Sequence, residues 1–192
     1  MVERAKSQEE TRLRIVEAAM HLHEEIGPRA TTISAIAERA GVQRLTVYRH
    51  FSDEAAVFKA CSAHWLNLNP PPDPQGWVEI AEPFERTKIA LEAFYRYYGA
   101  TRRMWAAAHR DVAEVPALQE PMEAFANFLA SVANDLSARF GATGKARERV
   151  EATIGHAIAF STWSDLDEKR KLTDAEKVEL IERWLRGAFD PD

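Results

Sequence analysis

Five polar side chains fall within eight residues near the start of this 192-residue chain: Gln43, Arg44, Thr46, Arg49 and His50. These are the residue types that read or grip a nucleic acid. Arginine can meet guanine in bidentate fashion, and glutamine can pair with adenine. Thr46, Tyr48 and His50 are suitable donors to phosphate oxygens, which fix register without reading sequence. For that chemistry the side chains must stand on one side of a short helix whose other side is apolar. Val47 and Phe51, four residues apart, supply the inward side.

Other chemistries are poorly served. The six histidines (21, 23, 50, 64, 109 and 156) form no pair at i, i+4 ligand spacing, so no metal site is expected. There is no glycine-rich phosphate loop and no G-x-S-x-G. No catalytic residues and no cofactor are therefore expected, and the chain reads as a non-enzyme. The lone Cys61 has no partner for an internal disulfide and fits a small core residue in a reducing cytoplasm.

The elements that must position the polar cluster are helical. Ile15, Ala19, Leu22 and Ile26 recur at helical spacing ahead of Gly27-Pro28, giving a first helix over roughly 9–26. Thr32 is a good N-cap for a second helix with Ile33, Ile36, Ala37 and Ala40 on one face. Gly41 can take the positive φ of a tight turn. A third helix then runs from about Gln43 to His50, and a fourth over 53–68. The segment 69–76, NPPPDPQG, holds four prolines and a glycine and reads as a stiff extended loop. Further helices are expected near 83–99, 101–113, 117–140, 145–166 and 174–188, about nine in all. Gly99, Gly141 and Gly144 punctuate them, and Thr173–Glu176 forms a capping box for the last. Pro116 and Pro121 fit a helix start and first turn. The run 165–171 reads as a solvated connection. The fold class is all-α, with an N-terminal helix-turn-helix domain at 1–52 and a helical regulatory domain at 53–192.

Charge agrees weakly with this division. Residues 1–52 carry eight Lys/Arg against seven Asp/Glu, while the whole chain has a formal net charge of −5. That balance argues against a general polyanion binder and leaves room for one with its positive residues on one face. No apolar run is long enough to span a bilayer, and the polar N-terminus does not read as a signal peptide. A cytoplasmic location without membrane partners is the expectation.

The stretch 9–58 resembles the N-terminal domain of TetR-family transcriptional regulators. The residues carrying the resemblance are Arg14-Ile15-Val16-Glu17-Ala18-Ala19, Gly27, Ala30-Thr31-Thr32-Ile33, Ile36-Ala37, Ala40-Gly41-Val42 and Thr46-Val47-Tyr48-Arg49-His50-Phe51. The remainder is similar to the family only in length and helical layout. Four positions depart from its pattern. His23 replaces a bulky aromatic, Gln43 a Ser or Thr cap, Leu45 a small residue or Pro, and Glu54 a Lys that contacts phosphate. Leu45 can instead touch a thymine methyl. Glu54 would repel a phosphate, so that contact is either absent or supplied by another residue, Lys59 or an N-terminal Arg.

The resemblance implies a sequence-specific transcriptional regulator, a repressor bound to a palindromic operator in double-stranded DNA. Its DNA-binding residues would be Thr32, Gln43, Arg44, Leu45, Thr46, Tyr48, Arg49 and His50. It also implies a homodimer built on the last two helices, here through Val150, Ile154, Ile158, Ser161, Val178, Ile181 and Leu185. A small apolar or aromatic effector would enter the C-terminal domain and release the operator, with helix four as the lever. The candidate pocket residues are Tyr95, Tyr98, Trp105, His109, Phe125, Phe128, His156 and Phe160. Arg110 or Asp111 could pair with a charged effector, but both read more simply as a solvated face. The alternative is a ligand-independent DNA-binding or DNA-organising protein whose C-terminal domain serves dimerisation or a protein partner.

Overall fold

The computed structural model describes residues 2–189, with side chains from Lys6 onward. Among these residues it is wholly helical: α1 (Val2–Glu25), α2 (Ile33–Arg39), α3 (Arg44–His50), α4 (Glu54–Leu68), α5 (Pro83–Asp111), α6 (Pro116–Ala138), α7 (Gly144–Ala157), α8 (Phe160–Ser164) and α9 (Asp174–Phe189). The chain divides into two compact units. The first runs to Pro70 and takes in Arg102–Glu123. The second comprises Pro71–Thr101 and the residues from Ala124 on. The end of α5 and the start of α6 thus belong with α1–α4.

In the first unit, Ile15, Val16, Ala18 and Ala19 of α1 are buried together with Ile33, Ile36 and Ala37 of α2, Val47 of α3, and Val57, Cys61 and Trp65 of α4. Ile26 does not continue the α1 stripe. The helix ends at Glu25, Gly27 turns the chain at φ +92, and Ile26 is left 45% exposed. The Thr32 hydroxyl accepts from the Ala35 amide at 3.2 Å, so the expected cap of α2 forms. Asp53 caps α4 by accepting from Ala56 N at 2.7 Å. Glu54 lies in the first turn of α4, where a carboxylate complements the helix dipole.

Three expectations about the helices fail for identifiable reasons. Gly99 does not break the chain, and α5 is one continuous helix across it. A helix-interior glycine costs only about 1 kcal/mol, and Gly99 lies against the Trp163 ring, where a Cβ would stand 4.0 Å from Cζ2. Pro121 stands inside α6 rather than in its first turn. Conversely, 145–166 is not one helix. It breaks at Ala159, which is extended, before α8 begins. Two buried tyrosine hydroxyls take carbonyls at that break: Tyr95 donates to Ala157 O at 3.0 Å and Tyr98 to Ile158 O at 2.8 Å. Backbone groups freed by ending a helix inside a core need such partners. No sequence window around 158 contains them.

The connection after α8 is also less solvated than its charges suggest. Asp165–Lys169 forms a π-helical turn with Leu166 buried. Lys177, 1% exposed, donates to Asp167 and Asp174 at 2.7 Å each and lies 5.2 Å from the Trp163 ring. Thr173 and Glu176 make the reciprocal bonds of the capping box.

Candidate nucleic-acid interface

The turn between α2 and α3 rests on Gly41, whose φ of +66 favours glycine. It sets α3 with Val47 fully buried and Phe51 following it into the core. The Arg12 guanidinium covers the Phe51 ring at 5.0 Å. On the opposite face Gln43, Arg44, Leu45, Tyr48 and Arg49 are exposed, and Thr46 and His50 are half-buried. Leu45 is 69% exposed, which for an apolar side chain on a short helix leaves a methyl-bearing contact free in solution. Gln43 occupies the N-cap of α3 but makes no side-chain cap bond, so its amide is not spent on the helix. Arg49 donates to the Thr46 hydroxyl at 3.4 Å. Thr32 is exposed at the start of α2.

A latch holds the loop between α1 and α2. Asp111, nearly buried at the end of α5, accepts from the Arg29 amide at 3.1 Å. Arg110 pairs with Asp111 at 2.7 Å and donates to Ile26 O at 3.2 Å, while Arg29 reaches Glu114 at 2.7 Å. The hydrogen bond from Arg110 holds the Asp111 carboxyl below its ordinary pKa. A Cβ on Gly27 would stand 1.8 Å from Arg110 Nη2, so only glycine admits this approach. Asp111 is therefore a buried structural tie rather than part of a solvated face, while Arg110 bonds to it from the exposed side.

The other singled-out residues separate by location. Trp105 and His109 belong to the first unit, where Trp105 meets Trp65 edge-on at 6.0 Å and His109 lies 6.1 Å from Trp105. Partial burial lowers the His109 pKa. Tyr95, Tyr98, Phe125, Phe128, His156 and Phe160 belong to the second. There Phe94 joins Phe128 at 6.2 Å to Tyr98 at 6.0 Å, Phe125 lies 6.0 Å from Phe128, and Phe160 lies 5.4 Å from Tyr98. His156 stands apart on the exposed side, stacked with Trp184 at 6.5 Å. Val150, Ile154, Ile158, Val178, Ile181 and Leu185 are buried within their own unit, and only Ser161 of the dimerisation set is exposed. Gly155 meets Ala133 of α6, where a Cβ would be 3.8 Å from the alanine's.

His23, the departure in α1, sits in the core beside the Phe58 ring at 5.3 Å and Cys61 Sγ at 3.4 Å. Burial pulls its pKa down to about 4, against a smaller opposing pull from Asp111. Burial likewise pushes the Cys61 thiol up to about 12, which leaves it unreactive.

Together α2, the Gly41 turn and α3 define a helix-turn-helix protein. Residues 15–61 match the family described as bacterial regulatory proteins, tetR family. The HTH-type transcriptional regulator SrpR of Pseudomonas putida is 40% identical over 90 residues, which is 45% of this chain and 40% of SrpR. The HTH-type transcriptional regulator TtgR, also of Pseudomonas putida, is 43% identical over 61 residues, 31% of this chain and 29% of TtgR. The chain thus covers less than half the length of these relatives. Among solved structures, NalD, the secondary repressor of the MexAB-OprM multidrug efflux pump in Pseudomonas aeruginosa, is 25% identical with a TM-score of 0.61, over 95% of this chain and 97% of that one. A TetR-like transcriptional regulator from Rhodococcus sp. RHA1 aligns at 21% identity and a TM-score of 0.64, over 92% and 94%. The chain is thus similar to TetR-family transcriptional regulators, in sequence over its N-terminal segment and in fold over most of its length. No helix among the described residues is long and apolar enough to cross a membrane.

Proposed function

We propose that this protein is a cytoplasmic, dimeric repressor that binds a palindromic DNA operator through α3 and is released by a small molecule held in its second unit. The observation that carries the reading is the exposed face of α3. Gln43, Arg44, Leu45 and Arg49 stand clear of a core sealed by Val47 and Phe51, inside the segment that matches the family. Arg44 and Gln43 read base edges, Leu45 packs on a thymine methyl, and Tyr48, Thr46, His50 and the Thr32 hydroxyl hold phosphates. Repression is the sign carried by NalD, which is itself a repressor.

The dimer forms through the exposed face of α7 and α9. Ala152 and His156 on α7 share that face with Leu180, Trp184 and Gly187 on α9, and Trp184 is 40% exposed. An exposed tryptophan among small residues is a ready interface anchor. The buried leucine and isoleucine stripes support this face from behind. Two recognition helices then meet two half-sites one helical turn apart. The effector shifts the equilibrium only by its differential affinity for the released form.

Gel-shift titration against the DNA upstream of the coding region tests the reading. Arg44→Ala relaxes base preference, and Tyr48→Phe weakens binding to all sequences. Wild-type affinity in both variants would show that α3 is not the reading helix.

A further inference from the structure

We propose that the effector is a small aromatic compound carrying a neutral hydrogen-bond acceptor, and that Trp77 Nε1 and Arg86 Nε are the donors that hold it. The proposal rests on the effector reading above and moves its polar centre away from the tyrosines. The Tyr95 and Tyr98 hydroxyls are already bonded to the carbonyls of Ala157 and Ile158. Trp77 Nε1 and Arg86 Nε are buried and have no hydrogen-bond partner among the described residues. Trp77 is 1% exposed and Arg86 is fully buried.

The two donors are neighbours by construction. The proline-rich loop forms one 3-10 turn, Pro74–Gly76, held by Asp73 accepting from Gln75 N at 2.9 Å, and this turn delivers Trp77 into the core. Arg86 Nη1 donates to the carbonyl of Val78, the residue next to Trp77. The Trp77 ring lies 6.1 Å from Phe94, and Phe94 lies 6.2 Å from Phe128, so aromatic rings extend from the donor pair. Buried polar groups are nearly always satisfied, and two left open on segments that the Arg86–Val78 bond ties together call for an acceptor supplied from outside the chain. The charge of Arg86 is already met by Asp135. A carboxylate ligand would set a second anion against that single guanidinium, whereas a carbonyl or phenol oxygen adds none. The Phe94 and Phe128 rings give the body of such a ligand aromatic partners.

Calorimetry of the full chain with acetophenone, toluene and benzoate tests this. Acetophenone should bind about five- to tenfold more tightly than toluene, the worth of one neutral hydrogen bond, and benzoate no better than toluene. Trp77→Phe, which keeps a ring but removes the N–H, should erase the preference for acetophenone and leave toluene unchanged. Arg86→Lys, which keeps the charge but removes Nε, should reduce the same preference. Equal binding of acetophenone and toluene, as expected if a trapped water satisfies the donors, overturns the proposal. Loss of both ligands alike in Trp77→Phe, preference for benzoate, or no binding of any probe does so too. Operator binding by the unliganded protein is measured separately, so failure here leaves the regulator reading standing.

Discussion

Gly27→Ala strikes the latch that fixes the start of the DNA-binding unit, and its cost can be worked from the geometry. At φ +92 an alanine pays about 1–2 kcal/mol for a left-handed backbone. Its Cβ also meets Arg110 Nη2 at 1.8 Å and Asp111 Oδ2 at 2.5 Å. The Arg110 side chain is 60% exposed and can swing away, giving up its bond to Ile26 O. Asp111, 3% exposed at its side chain, has no such freedom and must loosen its hold on the Arg29 amide. Losing hydrogen bonds to charged groups costs about 1.5–3 kcal/mol. The expected total is about 3–4 kcal/mol, a large part of the roughly 5–15 kcal/mol that holds a domain folded. Urea denaturation followed by circular dichroism reads this directly. The clash also predicts coupling: Arg110→Ala costs less in the Gly27→Ala background than in the wild type. A loss below about 1 kcal/mol, or strict additivity of the two substitutions, would refute the account.

Three further outcomes follow. His23 is neutral in the core while the unfolded chain takes up a proton near pH 6.5, so stability is full above 6.5 and falls as pH drops toward 4. The loss amounts to about 3 kcal/mol at about 1.4 kcal/mol per pKa unit; His23→Phe should flatten that slope in pH-dependent melts. Trp184→Ala should shift the proposed dimer toward monomer in sedimentation with little change in folding, whereas Ile154→Ala should cost about 2–5 kcal/mol of stability through a core cavity. Tyr95→Phe strands the Ala157 carbonyl and should lower stability by about 1–3 kcal/mol without any ligand present; an unchanged melting temperature would remove its role at the α7–α8 break.

The chain's own residue order determined the helix-turn-helix. The Thr32 cap, the Gly41 turn and the Val47/Phe51 spacing are local signals, and α2 and α3 formed where those signals pointed. The capping box at Thr173 was legible for the same reason: its bonds join residues three apart. What the sequence could not carry was every feature decided by partners distant in the chain. The helix break before α8 accompanies hydroxyls about sixty residues upstream. Asp111 looked solvated until it met an amide 82 positions away. The apolar stripes of α7 and α9 looked like an interface, yet burial within one unit consumed them and left His156 and Trp184 outside. Periodicity says that a face is apolar and is silent about what covers it. Capping and turn chemistry act over a few residues, so sequence displays them. Burial and the pairing of polar groups depend on what the folded chain brings alongside, and only the tertiary structure decides them.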